Sequence, residues 1–288
     1  MIAVTGANGQ LGRLVLEHLS NITDMPVRAL VRSPEKAQDL ASDKVTLARF
    51  DYDDPESLPA ALEGVSRLLL ISGSEVGKRV AQHNAVIEAA KSAGVSFITY
   101  TSLLNVPHST LVLGAEHIET EKMLSESGIP HAILRNGWYV ENYAGTVAAA
   151  LEHGAVVGAS GDGKTSIAGR DDYAEAAARI VSGDDLSTRA LELAGDQAIS
   201  LADIAEEISR QAGRHIPSQN LAEEDYAGVL TGAGLPEGIA KAIADADRGA
   251  AQGELFNSSS ALNGIISRPT RTLADLVSEI LGGSKATG

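Results

Sequence analysis

The sequence predicts an α/β protein: a doubly wound parallel sheet with a smaller, mostly helical C-terminal region for substrate binding. Three observations carry this. Short β-branched runs alternate with helical patterns through the first half of the 288 residues, as a parallel sheet covered by helices on both faces requires. Successive strand candidates lie on average about 20 to 30 residues apart, the length of a βαβ unit. The turn after the first strand is glycine-rich, "TGANGQLG" over residues 5–12, at the edge where such a sheet binds its ligand.

The elements follow in order. "IAVT" (2–5) leads into a helix from near Gly9, whose Leu14, Val15, Leu16 and Leu19 form an apolar side. "VRALV" (27–31), "VTLARF" (45–50) and "RLLLIS" (67–72) are the next strands, with helices expected from near Pro34, Pro55 and Val76. "FITYTS" (97–102), a helix from near Ala115, and "HAILRN" (131–136) complete six strands. After Asn136 the pattern loosens. Short runs, "AVVG" (155–158) and "ALELAG" (190–195), sit among alanine-rich helical stretches at 172–182, 201–212, 222–231 and 236–248. A last helix is expected at 271–281, with "GGSKATG" as a frayed tail. The expected division is a Rossmann-type nucleotide domain over 1–136 and a substrate-binding region over 137–288, packed on it as a lid, some segments of which return to the sheet.

Two loops advertise phosphate binding. In "TGANGQLG" Gly6 permits a tight turn, Gly9 lets backbone approach a pyrophosphate, and Gly12 allows helix to pack closely on strand. Ala7, Asn8, Gln10 and Leu11 complete the stretch, and the helix amino end adds unpaired N–H groups and a favourable dipole. It sits between a strand and a helix, the context that a dinucleotide fingerprint needs. "GASGDGKTS" (158–166) fits the phosphate-loop pattern letter for letter, with Gly158, Gly163, Lys164 and Thr165 in place. Its context is wrong. Only "AVVG" precedes it, Gly169 interrupts any helix after it, and Asp171 or Asp172 reads as the N-cap of the next helix. "GDGK" reads as a β-turn with Asp162 and Gly163 at its tip. No ATP site is expected.

The second strand ends at Arg32, followed by Ser33 and Lys36, with no acid to meet a ribose 2′-hydroxyl. A cation there suits a 2′-phosphate through a charge-assisted bond of about 1.5–3 kcal/mol. NADPH is therefore the expected cofactor. Asp51, after strand three, is placed to accept from the adenine amino group with Tyr52 beside it, while Asp53 or Asp54 suits the N-cap near Pro55. Ser72, Gly73 and Ser74, then Thr101 and Ser102, close strands four and five and are expected near the cofactor.

Composition narrows the partners. The 38 acidic and 23 basic residues leave a formal charge of −15, which speaks against nucleic acid and anionic membrane surfaces. There is no cysteine, so disulfides, thiolate metal sites and cysteine nucleophiles are excluded, and no metal is expected. No apolar run approaches the roughly 20 residues of a membrane span. The reading is a cytoplasmic protein of undetermined oligomeric state.

"TGANGQLG", an arginine after strand two, "LLLISGSEVG", "YTSLL", "HIETEKML" and "LRNGWYVENY" together resemble the atypical short-chain dehydrogenase/reductases of the NmrA-like group. Ordinary members of that superfamily use a tyrosine and a lysine four residues later. None of the tyrosines here has such a partner. Aligning "HIETEKMLSESGIP" with the usual helix puts His117 in the lysine's place and Leu113 in the tyrosine's. Carbonyl reduction by that pair is thus disfavoured. The resemblance implies NADPH-dependent reduction of quinones and other flat conjugated acceptors, where positioning matters most. It points to Asn136 as hydrogen-bond donor to the acceptor oxygen, Tyr139 and Trp138 as pocket walls, Tyr143 as a further substrate contact, and His117 as either a proton source or a cofactor-ribose neighbour. For Trp138 and Tyr143 core packing is the competing role. A non-catalytic NADP(H) sensor is the competing class, and "NGWYVENY" leans towards an enzyme.

Overall fold

The computed structural model describes residues 1–285. The chain runs β1 (Ile2–Val4), α1 (Gln10–Ile22), β2 (Val27–Val31), β3 (Val45–Arg49), α2 (Leu58–Ala61) and β4 (Arg67–Leu70). Then come α3 (Arg79–Ser92), β5 (Phe97–Leu103), α4 (Val112–Ser127), β6 (His131–Asn136), β7 (Trp138–Tyr139), α5 (Ala144–His153), β8 (Val156–Gly158) and β9 (Thr165–Ala168). The rest is α6 (Arg170–Ser182), β10 (Arg189–Leu193), β11 (Gln197–Ile199), α7 (Leu201–Ala212), β12 (Ser218–Asn220), α8 (Glu223–Gly232), α9 (Glu237–Ala251), α10 (Ala261–Ile266) and α11 (Leu273–Lys285).

The chain forms two compact units. The first takes Met1–Val106, Ala115–Asn136 and Asp171–Leu191; the second takes Pro107–Gly114, Gly137–Arg170 and Glu192–Gly288. The first holds a seven-stranded sheet in the order β10-β6-β5-β4-β1-β2-β3, and every pairing among β1 to β6 is parallel. Near-continuous apolar strands (β1 and β5 are buried throughout their first three and six residues) are what a sheet covered on both faces demands. Strand order reverses between β1 and β4, so the crevice of this unit opens at their carboxyl ends. Leu58, Leu62, Leu68, Leu70, Ile98 and Tyr100 are among the residues of its core.

The second unit is built differently. β11, β9 and β7 form one small sheet, with β9 antiparallel to β11 and parallel to β7. β12 and β8 form a parallel pair. Its core joins Val140, Val147, Val156 and Ile167 to Ile204, Ile208, Leu273 and Val277. Helix α7 begins with a reciprocal cap in which Ser200 and Asp203 satisfy each other's backbone N–H.

Several expectations are corrected. The helix near Pro34 is only two 3-10 turns, Pro34–Lys36 and Gln38–Leu40, because "PEKAQDL" buries Ala37 alone and has no apolar stripe to hold a helix. Near Pro55 a 3-10 turn, Pro55–Ser57, precedes the single turn of α2. The tail expected to fray is helical to Lys285; residues 286–288 lie outside the described residues. Helices α5 and α10 and the strands β7, β9, β11 and β12 were not expected, since two- to four-residue strands show no periodicity. Helix α6 starts at Arg170, so its cap position falls on Gly169 rather than on Asp171 or Asp172. Those aspartates lie in the first turn, where they suit the helix dipole.

Candidate active site

The cradle lies in the first unit, at the switch point. Thr5 ties the two loops together: its Oγ1 donates to Ile71 O (3.4 Å) and accepts from Ile71 N–H (3.0 Å). Gly6 has φ +58°, a left-handed conformation that glycine adopts without steric cost. Gly9 N–H then closes onto Gly6 O at 2.9 Å. A Cβ on Gly12 would stand 2.4 Å from Gly6 O and 2.7 Å from Ala7 Cα. Helix α1 therefore sits on the loop at a distance only glycine allows. Its N-cap is Gly9, which offers no side chain to the first-turn N–H groups. An anion can take that place. Arg13 binds both the carbonyl and the side-chain oxygen of Asn8. Ala7 and Leu11 are buried under the loop, and Gln10 is exposed.

Arg32 follows β2 with its side chain 75% exposed, and its Nη1 stands 3.9 Å from Glu75 Oε1. Lys36 is exposed on the 3-10 turn. Lys78, overlooked in the sequence, shares Glu75 at 2.8 Å and Asp53 at 3.4 Å. Asp51 Oδ1 accepts Asp53 N–H at 3.1 Å, so one oxygen braces its own turn. Asp54 stands at the N-cap of the turn at Pro55, as expected, with its side chain turned to Arg49 (2.8 Å) rather than to the turn's N–H groups, and Asp53 takes Gln82 Nε2 (3.0 Å). Tyr52 donates to Ile71 O at 3.2 Å, and burial pushes its hydroxyl up to about 12.

The loop after β4 is held from both sides. Ser72 N–H donates to Thr101 Oγ1 (2.9 Å) and Gly73 N–H to His83 Nε2 (3.0 Å), while Arg79 Nε donates to Gly73 O (2.5 Å). Thr120 Oγ1 donates to Glu116 O, so it must accept from His83 Nδ1–H at 3.0 Å. That fixes one neutral tautomer of His83. Burial, aided by Arg79, lowers His83 to about 4. Arg79 Nη1 and Glu116 Oε2, 3.9 Å apart, are both buried without a hydrogen bond. Sequence reading missed Arg79, His83 and Glu116. Their signal was polar residues at helical spacing (79 and 83) on an otherwise alanine-rich face. Ser74 is exposed at the end of the loop.

Strand β5 turns Tyr100 and Ser102 to the same side, where α4 supplies His117 and Glu121. Tyr100 Oη and His117 Nδ1 are 2.7 Å apart, and Ser102 Oγ donates to Glu121 Oε1 at 2.6 Å. Glu121 also pairs with Arg135 at 2.7 Å. The Ser102 hydroxyl is thus given to α4. Burial, then Arg79 and His83, lowers His117 to about 3, and burial raises Tyr100. The His117 imidazole is therefore held in the neutral form. Asn136 is 4% exposed at the end of β6. Its Oδ1 has no partner, although its backbone O accepts Leu104 N–H.

In the second unit, Trp138 and Tyr143 pack half-buried against the core. Tyr143 also lines a small cavity with Thr165, Ser160, Tyr226 and Asp247. Tyr139 lies under the guanidinium of Arg170, 4.8 Å from ring centre to Cζ. The phosphate-loop look-alike is answered here too. Residues Thr165–Ala168 form strand β9, not a helix. The amides that would cradle phosphate are occupied: Ala159 N–H by Asp247 Oδ2 and Gly161 N–H by Asn220 Oδ1, both at 2.7 Å. The turn runs from Ser160 to Gly163, with Gly161 (φ +54°) and Asp162 at its tip, one residue earlier than expected.

The cradle fits a dinucleotide on its own geometry: an uncapped helix end, a glycine junction with no room for a Cβ, and cations rather than an acid after β2. Comparison with known proteins agrees. The sequence profile of the NmrA-like family matches residues 1–268. The chain is 52% identical over 281 residues to quinone oxidoreductase 2 of Escherichia coli (strain K12), covering 97% of this chain and 98% of that one. A crystal structure of the Escherichia coli NADPH-dependent quinone oxidoreductase complexed with NADPH matches with TM-score 0.94 and 51% identity, over 98% and 100% of the two chains. The Citrobacter sp. triphenylmethane reductase complexed with NADP(H) matches with TM-score 0.92 and 33% identity, over 97% and 100%. On this match, which runs from the first strand through most of both units, the chain belongs to the NmrA-like family.

Proposed function

We propose that this protein is an NADPH-dependent reductase of quinones and similar conjugated acceptors. The observation that carries the reading is 52% identity over almost the whole chain to a quinone oxidoreductase, in a molecule whose glycine cradle has no room for a side chain at Gly12. Gly6 to Gly12 would hold the pyrophosphate, Arg32 and Lys36 the 2′-phosphate, and the free oxygen of Asp51 the adenine amino group. Ser72 to Ser74 and Thr101 would flank the nicotinamide. When bound, NADPH supplies the hydride.

The residues of this chain have a modest task, because a quinone is already electron-poor and leaves the reaction as a stabilised phenolate. Asn136 answers the charge that gathers on its oxygen. The amide Nδ2–H would donate to that oxygen, while Oδ1, an acceptor buried without a partner, would not. The bond strengthens as negative charge develops, so it favours the transition state over the bound acceptor. Arg79 and His83 keep the loop after β4 in one conformation by gripping both sides of Gly73. Trp138 and Tyr139 supply aromatic surface for a flat acceptor.

No helix among the described residues is long and apolar enough to cross a membrane, and we assign the protein to the cytoplasm because a chain without cysteine needs no oxidising compartment. The test is steady-state oxidation of NADPH with a panel of benzoquinones, naphthoquinones and triphenylmethane dyes. Turnover with quinones is expected; NADPH binding without turnover of any of them would replace the enzyme by a sensor.

A further inference from the structure

Arg170 carries a charge that the second unit does not neutralise. Glu141 takes the Arg170 backbone N–H at 3.0 Å and gives its other oxygen to Arg271 at 2.9 Å. Among the described residues the guanidinium has no ion pair or hydrogen bond; it lies over the Tyr139 ring, 4.8 Å from its centre, and is half-buried. A ring face attracts a cation, and it uses none of the five N–H donors of the fork. Those donors match the planar oxygens of an acid.

We propose that Arg170 is an anion-binding residue of the acceptor site and selects acceptors bearing a sulfonate or carboxylate on the ring. This rests on the reading that Tyr139 lines that site. The shared chemistry is an anionic oxygen, which an acceptor substituent or a cofactor phosphate could present. The acceptor is favoured because Arg170 is stacked on an aromatic side chain, whereas the first unit already offers phosphates a helix end, Arg32 and Lys36.

The experiment compares wild type, Arg170→Met and Arg170→Lys with NADPH and two acceptors, 1,2-naphthoquinone and 1,2-naphthoquinone-4-sulfonate. The ratio of kcat/KM for the sulfonate to that for its parent is followed, so that the reactivity of each quinone cancels between variants. Arg170→Met should lower the ratio about tenfold or more, the loss of a charge-assisted bond, and Arg170→Lys should retain part of it. An unchanged ratio overturns the proposal. A raised KM for NADPH with an unchanged ratio overturns it in favour of a cofactor phosphate. Failure of wild type to reduce either quinone instead sinks the reductase reading beneath it. Should Arg170→Met not fold, wild type still decides: raising salt from 0.02 to 0.5 M should lower its ratio several-fold through screening, and a salt-independent ratio overturns the proposal.

Discussion

Arg32 and Asn136 show what a single side chain contributes. Arg32 is exposed and only loosely met by Glu75 at 3.9 Å, so its charge remains available to a 2′-phosphate. Arg32→Glu should weaken NADPH binding by tenfold or more while changing NADH binding little, as a charge-assisted bond is lost and a repulsion gained. Equal loss of both in a titration of bound nucleotide fluorescence would remove Arg32 from the assignment. Asn136 is buried at the end of β6, where its Nδ2–H would answer the charge that develops on the acceptor oxygen. Asn136→Ala should therefore slow quinone reduction on the order of tenfold to a hundredfold in kcat/KM, with NADPH affinity within a few-fold. A folded variant with full turnover would take Asn136 off the catalytic list.

At the scale of elements, the junction of β1 and α1 is the part that tolerates least. Any Cβ at Gly12 meets backbone, Gly6 O at 2.4 Å and Ala7 Cα at 2.7 Å, so no rotamer change can relieve it. Gly12→Ala must move the helix or open the loop, and either spoils the alignment of the first-turn N–H groups. We expect NADPH affinity to fall at least tenfold and thermal stability to drop with it, by about 1–3 kcal/mol for an overpacked core position. Binding measured calorimetrically with the folded variant is the check; unaltered affinity would mean that the cradle does not bind the pyrophosphate. The same reasoning explains why the second glycine loop is silent. Its spelling is right, yet its amides face Asp247 and Asn220, and a strand follows where a helix would have to begin.

For the molecule as a whole, pH is the informative variable. His83 and His117 fall from an ordinary 6.5 to about 4 and about 3, chiefly through burial. Below pH 6.5 the unfolded chain binds protons at both histidines that the folded chain refuses. Their contribution is thus complete above 6.5 and is lost as pH falls towards 4, with a slope of up to about 2.7 kcal/mol per pH unit. The lowered carboxylates Asp53, Asp203, Glu254 and Asp275 add to the loss only below about pH 4. Asp247, raised by burial, works weakly in the opposite sense. The urea midpoint should fall clearly between pH 7.5 and 5.5, and His83→Gln should flatten that dependence. A midpoint that does not move over this range would show the histidines to be protonated in the fold or solvated.

Much of this was legible in the residues because it depends on local physics. Alternating apolar runs specify strands whatever surrounds them, so β1 to β6 of the seven-stranded sheet were found to within two residues at either end. Gly6, Gly9 and Gly12 announce a turn that only glycine can make, and Arg32 announces a cation where an acid would otherwise stand. What tertiary structure decided is the set of partners distant in sequence. Ser102 and His117 looked available, but strand alternation delivers Ser102 to Glu121 and Tyr100 to His117, 19 and 17 residues away. Arg79 and His83 become a clamp on Gly73, and Glu116 takes the N–H groups of Gly77 and Arg79, only once α3 and α4 pack on the sheet. Strands as short as β7, β9 and β12 have no periodicity to read and exist because their neighbours supply hydrogen bonds. Conformation was determined by nearest neighbours along the chain; which polar groups remained free for a ligand was determined by neighbours in space, since burial and pairing are properties of packing.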